Sequence, residues 1–437
     1  MPWEWPSARA AAVAKTVARA MRAEYPPRMS HHPRERISRR RVLAAGTAGV
    51  VGAAAALTGH AQTADTTRVQ GPGTTDVGAR SPFVAPKRQS FSPRRTASTT
   101  PLQDLEGIIT PADLHFERHH GGVPAIDPAS YSLLVHGLVD RPTMFTLDDL
   151  KRFPGRSVIR FLECSGNGSR NYRPDPKAPE TTPQQLDGLT SCSEWTGVPL
   201  ATVLREVGAS AKASWFLAES MDAAVLARSI PMEKALDDAM LAYAQNGEAL
   251  RPEQGYPVRL FLPGYEGSAS VKWLRRIELA TEPFMMREET SKYTDPLPDG
   301  TARQFSLVMD AKSIITEPAY PDRLSGPGWR EIRGIAWSGR GKIAHVDISV
   351  DNGRTWQRAT LDEPVLSKCH TRFRFAWNWS GAETIVMSRA TDETGYAQPT
   401  RAALLAVRGP GTQYHFNNIR AWKVAADGTV TLATGAA

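Results

Sequence analysis

The chain has 437 residues, 41% hydrophobic and 22% charged, with a formal net charge of +8, which is the composition of a soluble globular protein of two or three domains. Residues 1–64 carry ten Lys and Arg against three Asp and Glu, and residues 65–100 carry six against two. The rest of the chain is therefore slightly acidic, at −3. This distribution excludes a nucleic-acid-binding body, so we expect no nucleic-acid partner.

The basic N-terminal region predicts an export signal. Arg39 and Arg40 precede a weakly apolar Ala/Gly/Val run that continues to Leu57. The run is shorter than the ~20 residues that a membrane span needs, so we expect no stable membrane span. A twin arginine before such a run is typical of the twin-arginine route, so residues 1–64 are interpreted as that signal with an N-terminal extension, and the protein as periplasmic. A basic patch beside a low-complexity spacer is the alternative, and Met29 is an alternative translation start.

The chain then changes from a predicted linker to predicted helices and strands. Residues 65–105 are rich in Thr, Ser, Gly, Pro and Arg without apolar periodicity, which predicts a flexible linker. "SYSLLVHGLV", "SVIRFLE", "YPVRLFLPG" and "SVKWLRRIELA" predict strands. "TLDDLKRF" predicts a short helix capped by Thr146, "GVPLATVLREVG" a helix that ends at Gly208, and "SIPMEKALDD" a helix opened by Ser229.

The last third of the chain has a different pattern. "EIRGIAWSGRGKIAHVDISVDNGRTWQRATL" alternates with a period of two, and "TRFRFAWNW" and "ETIVMSRATDETG" continue as short strands between turn residues. Strands at this spacing indicate a β-sandwich. The sequence therefore predicts an α+β protein, with a mixed domain at residues 106–305 followed by an immunoglobulin-like β-sandwich at 306–430.

Three cysteines, Cys164, Cys192 and Cys369, are present without a CxxC pair, which disfavours a disulfide framework and a structural zinc site. Because the chain has no CxxCH, we expect no covalently attached haem in it. Cys164 ends the "SVIRFLE" strand and opens the turn "SGNG". It is either a small apolar residue that closes the strand, or a thiolate able to bind a soft metal, and this stretch alone leaves both open.

Two further segments are candidates for anion binding. "HFERHHGGVP" contains Arg118, His119 and His120, which form either a solvated basic loop or a clamp for an oxyanion. "GYEGSASVKW" is a glycine-rich loop that contains Lys272, and its backbone amides are candidates for phosphate binding. It lacks the P-loop spacing and the following helix.

Taken together, these segments resemble the sulfite oxidase family of molybdenum enzymes, from about residue 106 to 410. In that family the cysteine of a C-[AS]-G-N loop binds molybdenum, which the resemblance assigns to Cys164. The family's F-x-R-N-H element holds the pterin and presents an arginine to the substrate; it matches Phe116, Arg118, His119 and His120, with His119 where Asn is usual. The S-I-P, G-[FY]-P-[VL]-R and V-K-W-L elements imply that Ser229, Arg259, Ser270 and Lys272 contact the cofactor. The resemblance thus implies a molybdenum–molybdopterin cofactor and a homodimer formed through the C-terminal sandwich.

The chain departs from the sulfite oxidases at the substrate side. They carry a tyrosine three residues before the S-I-P serine, where this chain has Leu226, and a second arginine pair where it has Gly168 and Ser169. Arg228 is therefore a candidate for the second positive group at the substrate, with a surface salt bridge as the alternative. Arg118, Cys164 and Arg228 are the predicted catalytic residues.

"ECSGNGSRNYRPD", "RSIPMEKALDDA" and "AWSGRGKI" resemble one subgroup, the sulfane dehydrogenase molybdenum subunit of the bacterial sulfur-oxidising (Sox) system. That resemblance implies a substrate sulfane sulfur on a cysteine of a carrier protein, and electron transfer to a separate c-type cytochrome subunit within a heterotetramer. The alternative is a periplasmic sulfite dehydrogenase with a cytochrome acceptor. A secreted binding module without metal is the alternative from another class, and a nitrate reductase is disfavoured because no flavin or nicotinamide domain follows the sandwich.

Overall fold

A computed structural model describes residues 70–71, 73–91, 96–173, 178–297 and 299–434. The elements below all lie in the compact unit that begins at Ala79. The predicted twin-arginine signal lies outside the described residues. Of the described helices, none combines the length and apolar character needed to cross a membrane.

The first domain is built mostly from short strands. In chain order they are β1 Gln89–Ser90, β2 Ala97–Thr99, β3 Glu117–Arg118, β4 Ser132–Gly137, β5 Thr143–Thr146, β6 Arg156–Glu163, β7 Thr190–Pro199, β8 Trp215–Ser220, β9 Ala227–Pro231, β10 Met240–Gln245, β11 Glu248–Ala249, β12 Arg259–Phe261, β13 Leu274–Ala280, β14 Asp295–Pro296 and β15 Ala302–Arg303. The α-helices are α1 Leu147–Arg152, α2 Ser169–Tyr172, α3 Pro183–Asp187, α4 Leu200–Glu206, α5 Met232–Asp237 and α6 Arg287–Thr290, and 3-10 turns lie at Leu102–Asp104, Ala112–Leu114 and Pro252–Gln254.

Two five-stranded sheets form most of this domain. One has the order β5-β4-β13-β8-β9, and the other runs β11-β10-β7-β6 with β12 also paired to β10. In the first sheet β4 and β13 are parallel, while its other pairs are antiparallel. The alternation in "SLLVHG" places Leu133 and Val135 in the core, both with no exposed surface. This is the pattern of a strand with one buried face.

The predicted α1 helix is confirmed, including its cap. The Thr146 side chain accepts the Asp149 N–H, and the Asp149 carboxylate accepts the Thr146 N–H, which is a reciprocal capping box. Two other predictions are wrong. Ser229 does not open a helix, because residues 227–231 pair with β8 and the helix begins only at Met232. The predicted linker at 65–105 ends early, since β2 is largely buried and pairs with β1 and β3.

The second domain is the predicted sandwich, and the α+β class is confirmed. Its strands are β16 Lys312–Glu317, β17 Gly328–Trp337, β18 Ile343–Ser349, β19 Gln357–Arg358, β20 Thr360–Leu361, β21 Thr371–Trp379, β22 Thr384–Asp392, β23 Ala421–Val424 and β24 Val430–Leu432. They form the sheets β16-β17-β21-β20 and β19-β18-β22-β23-β24. The helix α7, Arg401–Arg408, lies between β22 and β23 and was not predicted.

The two domains share a hydrophobic core. Phe161 of β6 and Cys192 of β7 belong to the same buried cluster as Ile314 and Trp337 of the sandwich. The Sγ atoms of Cys192 and Cys369 are 3.2 Å apart within this cluster. The C-terminal end of β6, where Cys164 follows, therefore lies beside the border between the domains.

Candidate active site

Cys164 begins a tight turn directly after β6. Its backbone N–H donates to the Leu189 carbonyl oxygen at 2.9 Å, and its carbonyl oxygen accepts the Asn167 N–H at 2.9 Å. Cys164 is half-buried, whereas the other two cysteines are fully buried. A Cβ placed on Gly166 would meet no atom within 4 Å. The turn therefore leaves open space beside the thiol.

The glycine two residues further on has a different role. Gly168 has φ +92°, and a Cβ there would lie 2.8 Å from the Phe416 carbonyl oxygen and 2.9 Å from an Asp187 carboxylate oxygen. Any side chain would be strained at this φ and would collide with both neighbours. Gly168 is thus required by the close approach of the turn to the second domain, and not by the space beside the thiol.

Glu163 anchors the turn from behind. It is fully buried, and one of its carboxylate oxygens accepts from Asn167 Nδ2 at 3.0 Å and from Lys312 Nζ at 2.5 Å. The other oxygen accepts from Trp337 Nε1 at 2.7 Å. Since Lys312 and Trp337 belong to β16 and β17, both domains fix the position of the residue that precedes Cys164.

A cavity of about 650 Å³, its open mouth included, lies in front of this turn. Every predicted site residue except Arg228 and Ser229 lines it. The cavity has the size and concave form of a cofactor or substrate site. The lining residues that had been predicted are Phe116, Arg118, His119 and His120 around β3, Cys164 after β6, and Arg259, Ser270 and Lys272 from the chain that includes β12.

Three cationic residues of the wall, Arg118, Arg259 and Lys272, have no described carboxylate oxygen within 4.0 Å of their nitrogens. Lys272 Nζ donates to the carbonyl oxygens of Arg118 at 3.0 Å and Glu253 at 2.9 Å. The Arg259 guanidinium donates to the carbonyl oxygens of Gln254 and Ser270. None of the three positive charges is thus neutralised by a direct ion pair, although Glu117, Asp222 and Glu253 act on Lys272 from a longer distance, so these side chains remain able to bind an anion.

The electrostatics of this cationic pair agree with that conclusion. Burial and the nearby Arg259 charge lower the pKa of Lys272 to about 7. Burial also lowers the pKa of Arg259 to about 9, and among the described atoms its buried Nε has no hydrogen-bond partner. A phosphate bound between the two side chains would satisfy this donor and stabilise both charged forms.

Arg118 and the Cys164 thiol line the same cavity. Arg118 Nη1 donates to the His119 carbonyl oxygen at 2.5 Å, and Nη2 lies 3.4 Å from His120 Nδ1. Burial raises the pKa of the Cys164 thiol, while the Gly166 N–H and the Arg118 charge act in the opposite direction. Binding of a soft cation would displace the thiol proton.

His119 lies where the family that the sequence resembles usually has Asn. Its Nε2 lies 3.2 Å from Glu117 Oε1, and within the described structure its Nδ1 has no partner. Burial lowers the pKa of His119, and the Lys272 charge adds to that shift. A neutral His119 keeps one ring nitrogen free for a group bound in the cavity.

Arg228 requires a correction. Its side chain is 1% exposed, and Nε donates to Glu289 at 2.9 Å while Nη2 donates to Glu266 at 2.7 Å. Arg228 is thus a buried, fully paired cation that does not line the cavity, and it is also not the surface salt bridge considered as the alternative. Ser229 is likewise off the wall, since its Oγ accepts the Phe284 N–H at 2.9 Å and its own N–H donates to Glu289 at 3.0 Å.

Tyr293 lines the cavity but was not predicted as a site residue. It follows α6, has φ +51°, and its ring lies 4.7 Å from the Arg228 guanidinium carbon. Its hydroxyl oxygen is 3.3 Å from His120 Nε2. A tyrosine so far along the chain from Arg118 and Cys164 carries no local pattern that would have selected it.

The arrangement fits a phosphate-bearing cofactor that contains a soft metal. Cys164 offers one soft ligand, which suits a metal whose remaining ligands a cofactor supplies. Lys272 and Arg259, with its orphaned Nε, suit the anionic group of that cofactor. The open space at Gly166 leaves room for it beside the backbone.

The comparisons with known proteins agree with this geometry. Residues 120–287 match the oxidoreductase molybdopterin binding domain, and residues 303–421 match the Mo-co oxidoreductase dimerisation domain. The chain is 31% identical to sulfite oxidase of Gallus gallus over 329 residues, covering 68% of this chain and 70% of that protein. It is 33% identical to nitrate reductase [NADH] 2 of Phaseolus vulgaris over 314 residues, but it spans only 35% of that protein.

A solved structure gives the same result. The crystal structure of the sulfane dehydrogenase SoxCD from Paracoccus pantotrophus matches with a TM-score of 0.80 and 43% sequence identity, covering 84% of this chain and 96% of that chain. The resemblance that the cysteine, arginine–histidine and lysine segments predicted is thereby confirmed. The chain belongs to the sulfite oxidase family of molybdopterin oxidoreductases.

Proposed function

We propose that this protein is an exported, periplasmic molybdenum enzyme that oxidises sulfane sulfur carried on a cysteine of a carrier protein and passes the electrons to a c-type cytochrome subunit. The observation that carries the proposal is the cavity in which Cys164 and the unpaired Arg118 share a wall with the apolar Leu226. The 43% identity to a sulfane dehydrogenase over 96% of its chain supports this choice of substrate class.

The residues of the cavity divide into two groups by their chemistry. Cys164 would bind molybdenum through sulfur, and Arg259, Ser270 and Lys272 would hold the pterin and its phosphate. When bound, the molybdenum cofactor supplies a centre that accepts two electrons and transfers oxygen. Since the sequence contains no CxxCH, we place the cytochrome on a separate chain.

Arg118 is the cation proposed to orient the substrate. Its unpaired guanidinium offers charge-assisted hydrogen bonds to oxygen atoms on the sulfur as it is oxidised. Leu226 adds no charge to the same wall, and Arg228 is neutralised by two carboxylates. The site thus presents one substrate cation, which suits a protein-borne sulfur better than a free dianion.

The match of residues 303–421 to a dimerisation domain supports a homodimer formed through the sandwich. We propose that two such chains and their cytochrome subunits form a heterotetramer.

Sulfite oxidation is the second candidate. It is favoured by the 31% identity to sulfite oxidase, and by the unpaired cations of the wall, which would also attract a small anion. Free sulfite and a carrier-bound sulfur would both use Arg118, and the two candidates differ in the further positive charge that a free dianion favours.

Turnover by the molybdenum-loaded protein separates the two candidates. The measurement follows reduction of a c-type cytochrome with three substrates: a carrier protein with a persulfidated cysteine, the same carrier with that cysteine alkylated, and free sulfite. We expect turnover on the first substrate alone. Fast turnover on sulfite and none on the persulfidated carrier would establish the sulfite dehydrogenase instead.

A further inference from the structure

Ser268 lies on the cavity wall, in the glycine-rich loop "GYEGSASVKW". This loop packs against the turn that contains Cys164, since the Gly267 N–H donates to the Glu163 carbonyl oxygen at 2.6 Å and a Cβ on Gly267 would lie 3.5 Å from the Cys164 Cα. Ser268 is the next residue, and it lines the same cavity as Cys164 and Arg118. Its hydroxyl group therefore belongs to the part of the wall that adjoins the Cys164 turn.

The proton of this hydroxyl group is free to bind an acceptor. Arg228 Nη1 donates to Ser268 Oγ, and a guanidinium only donates, so the hydroxyl oxygen is the acceptor in this pair. Among the described residues, no atom accepts the Ser268 proton in return. Ser268 therefore offers one unused neutral donor on the cavity wall.

Arg228 holds the Ser268 oxygen from behind the wall. The Arg228 side chain is 1% exposed, its Nε donates to Glu289 at 2.9 Å, and its Nη2 donates to Glu266 at 2.7 Å. Each of its three nitrogens is thus bound to a different residue. The Tyr293 ring packs on the guanidinium, with the ring centre 4.7 Å from the guanidinium carbon. Because Arg228 is held by all of these contacts, the Ser268 hydroxyl is preorganised and loses little freedom when it binds an acceptor.

The charges around Ser268 determine which kind of acceptor suits its hydroxyl group. The Arg228 cation polarises the hydroxyl oxygen that it contacts, which strengthens the O–H as a donor. Because Glu266 and Glu289 pair with this cation, the wall gains a donor but no further free cation. The Arg118 guanidinium lines the same cavity without a direct ion pair. An oxyanion bound in the cavity is thus offered one charged donor and one neutral donor.

We propose that Ser268 is a substrate-binding residue whose O–H donates to an oxygen atom on the sulfur as it is oxidised, and that Arg228 is the positioning residue that holds this hydroxyl group. Arg118 supplies the charged donor to the same oxygens. The buried Arg228 thus acts on the substrate through Ser268, although Arg228 itself does not line the cavity. This inference rests on the proposed function for the identity of the substrate, but not for the binding of an oxyanion in this cavity.

The test uses the molybdenum-loaded protein and sulfate as a probe oxyanion, with the affinity measured by calorimetry. Loss of one hydrogen bond to a charged acceptor should weaken sulfate binding by about tenfold or more in Ser268→Ala. Ser268→Thr keeps the hydroxyl group and should bind sulfate as tightly as the wild type does. The matched control is Ser220→Ala, because Ser220 lines the same cavity but already donates its O–H to Asp222 at 2.7 Å. This control should leave the sulfate affinity unchanged.

Arg228→Lys tests the positioning role. It keeps a cation beside Glu266 and Glu289, but its single nitrogen cannot replace the three separate contacts of the guanidinium. We expect Arg228→Lys to weaken sulfate binding less than Ser268→Ala does, and the double variant to bind sulfate no more weakly than Ser268→Ala alone, because both changes act through one hydroxyl group. Equal molybdenum content and circular dichroism spectra confirm that the variants are folded. If Arg228→Lys loses its metal, the comparison of Ser268→Ala with Ser268→Thr still decides whether the hydroxyl group binds the anion.

The outcomes distinguish this inference from the proposed function. Weakened sulfate binding in Ser268→Ala, with wild-type affinity in Ser268→Thr, supports the inference even if the wild type does not oxidise a carrier persulfide, and only the proposed function then fails. Unchanged affinity in Ser268→Ala, an equal loss in Ser220→Ala, or a wild type that binds no sulfate overturns the inference, whatever the turnover. Additive losses in the double variant overturn the role of Arg228.

Discussion

At the scale of single residues, what separates a binding cation from a structural one is its carboxylate partners. Arg228 and Lys272 both come from segments that suggested anion binding, yet Arg228 is paired with Glu266 and Glu289, and Lys272 donates only to carbonyl oxygens. The local sequence could predict Cys164 and Lys272 because a motif surrounds each. It could not predict the ion pairs of Arg228, since Glu266 and Glu289 are distant from it in the chain. It also could not predict that Tyr293 lines the cavity.

Because Lys272 is buried without a direct ion-pair partner, its charge predicts opposite effects on protein stability and on cofactor binding. The pKa of Lys272 is 10.5 when unperturbed, and burial lowers it to about 7 here. The protonated form of Lys272 therefore destabilises the cofactor-free fold. The full free-energy cost of this buried charge applies below about pH 7. It is lost as the pH rises towards the pKa of Lys272 in the unfolded chain. Lys272→Met should therefore raise the free energy of unfolding of the cofactor-free protein at pH 7, on the order of a few kcal/mol, which is measured as a higher melting temperature. The same substitution should lower the retention of the cofactor.

Lys212→Met is the control, because Lys212 is exposed. It should change neither the melting temperature nor the cofactor content. A Lys272→Met protein that is less stable than wild type at pH 7, or whose advantage persists at pH 10.5, would contradict this description of the site.

At the scale of elements, the strand β6 and the turn after it carry Cys164, the proposed metal ligand, and β16 of the other domain holds them in place. The alternation of residues was sufficient to predict β4, in which buried and partly exposed residues alternate. In β6 the last three residues are all buried, so this strand was recognisable by its apolar run and not by alternation. The prediction failed at β9, where "SIPMEKALDD" begins in a sheet and only then becomes helical. The sequence analysis also did not predict α7, because it followed the period of two that is typical of strands. α7 is an amphipathic helix whose buried face includes Leu404.

The ion pair between Glu163 and Lys312 predicts a strong effect of a distant substitution on the turn. Both side chains are at most 1% exposed, so Lys312→Met would leave a buried carboxylate without its cation. Breaking such a pair costs about 3–5 kcal/mol, and we expect that loss in urea denaturation of the cofactor-free protein.

Lys342→Met, on an exposed residue of the same domain, should have no measurable effect. Adding Glu163→Gln to Lys312→Met should recover part of the lost stability, because the carboxylate charge is then also removed. Full stability of the single Lys312→Met variant would show that the pair does not anchor the turn.

At the scale of the whole molecule, the site depends on both domains. The shared core contains Phe161 and Cys192 from one domain and Trp337 from the other. The turn after Cys164 packs so closely against the second domain that a Cβ on Gly168 would lie 2.8 Å from the Phe416 carbonyl oxygen. A change in the packing between the domains would therefore move Cys164.

The shared core predicts that the domains unfold together. Calorimetry of the cofactor-free protein should show one transition whose van't Hoff enthalpy equals the calorimetric enthalpy. Tryptophan fluorescence and far-ultraviolet circular dichroism should report the same midpoint. Two separated transitions would show that the sandwich folds independently of the cofactor domain.

The central claim, that Cys164 holds molybdenum in this cavity, is tested most directly by the metal content of the protein. The protein is produced with an active molybdopterin pathway as wild type, as Cys164→Ser and, as a control, as Cys192→Ala, whose thiol is buried away from the cavity wall. We predict close to one molybdenum per chain in the wild type and in Cys192→Ala, and a strongly reduced content in Cys164→Ser with an unchanged circular dichroism spectrum. A folded Cys164→Ser protein that retains molybdenum at the wild-type level would contradict the account.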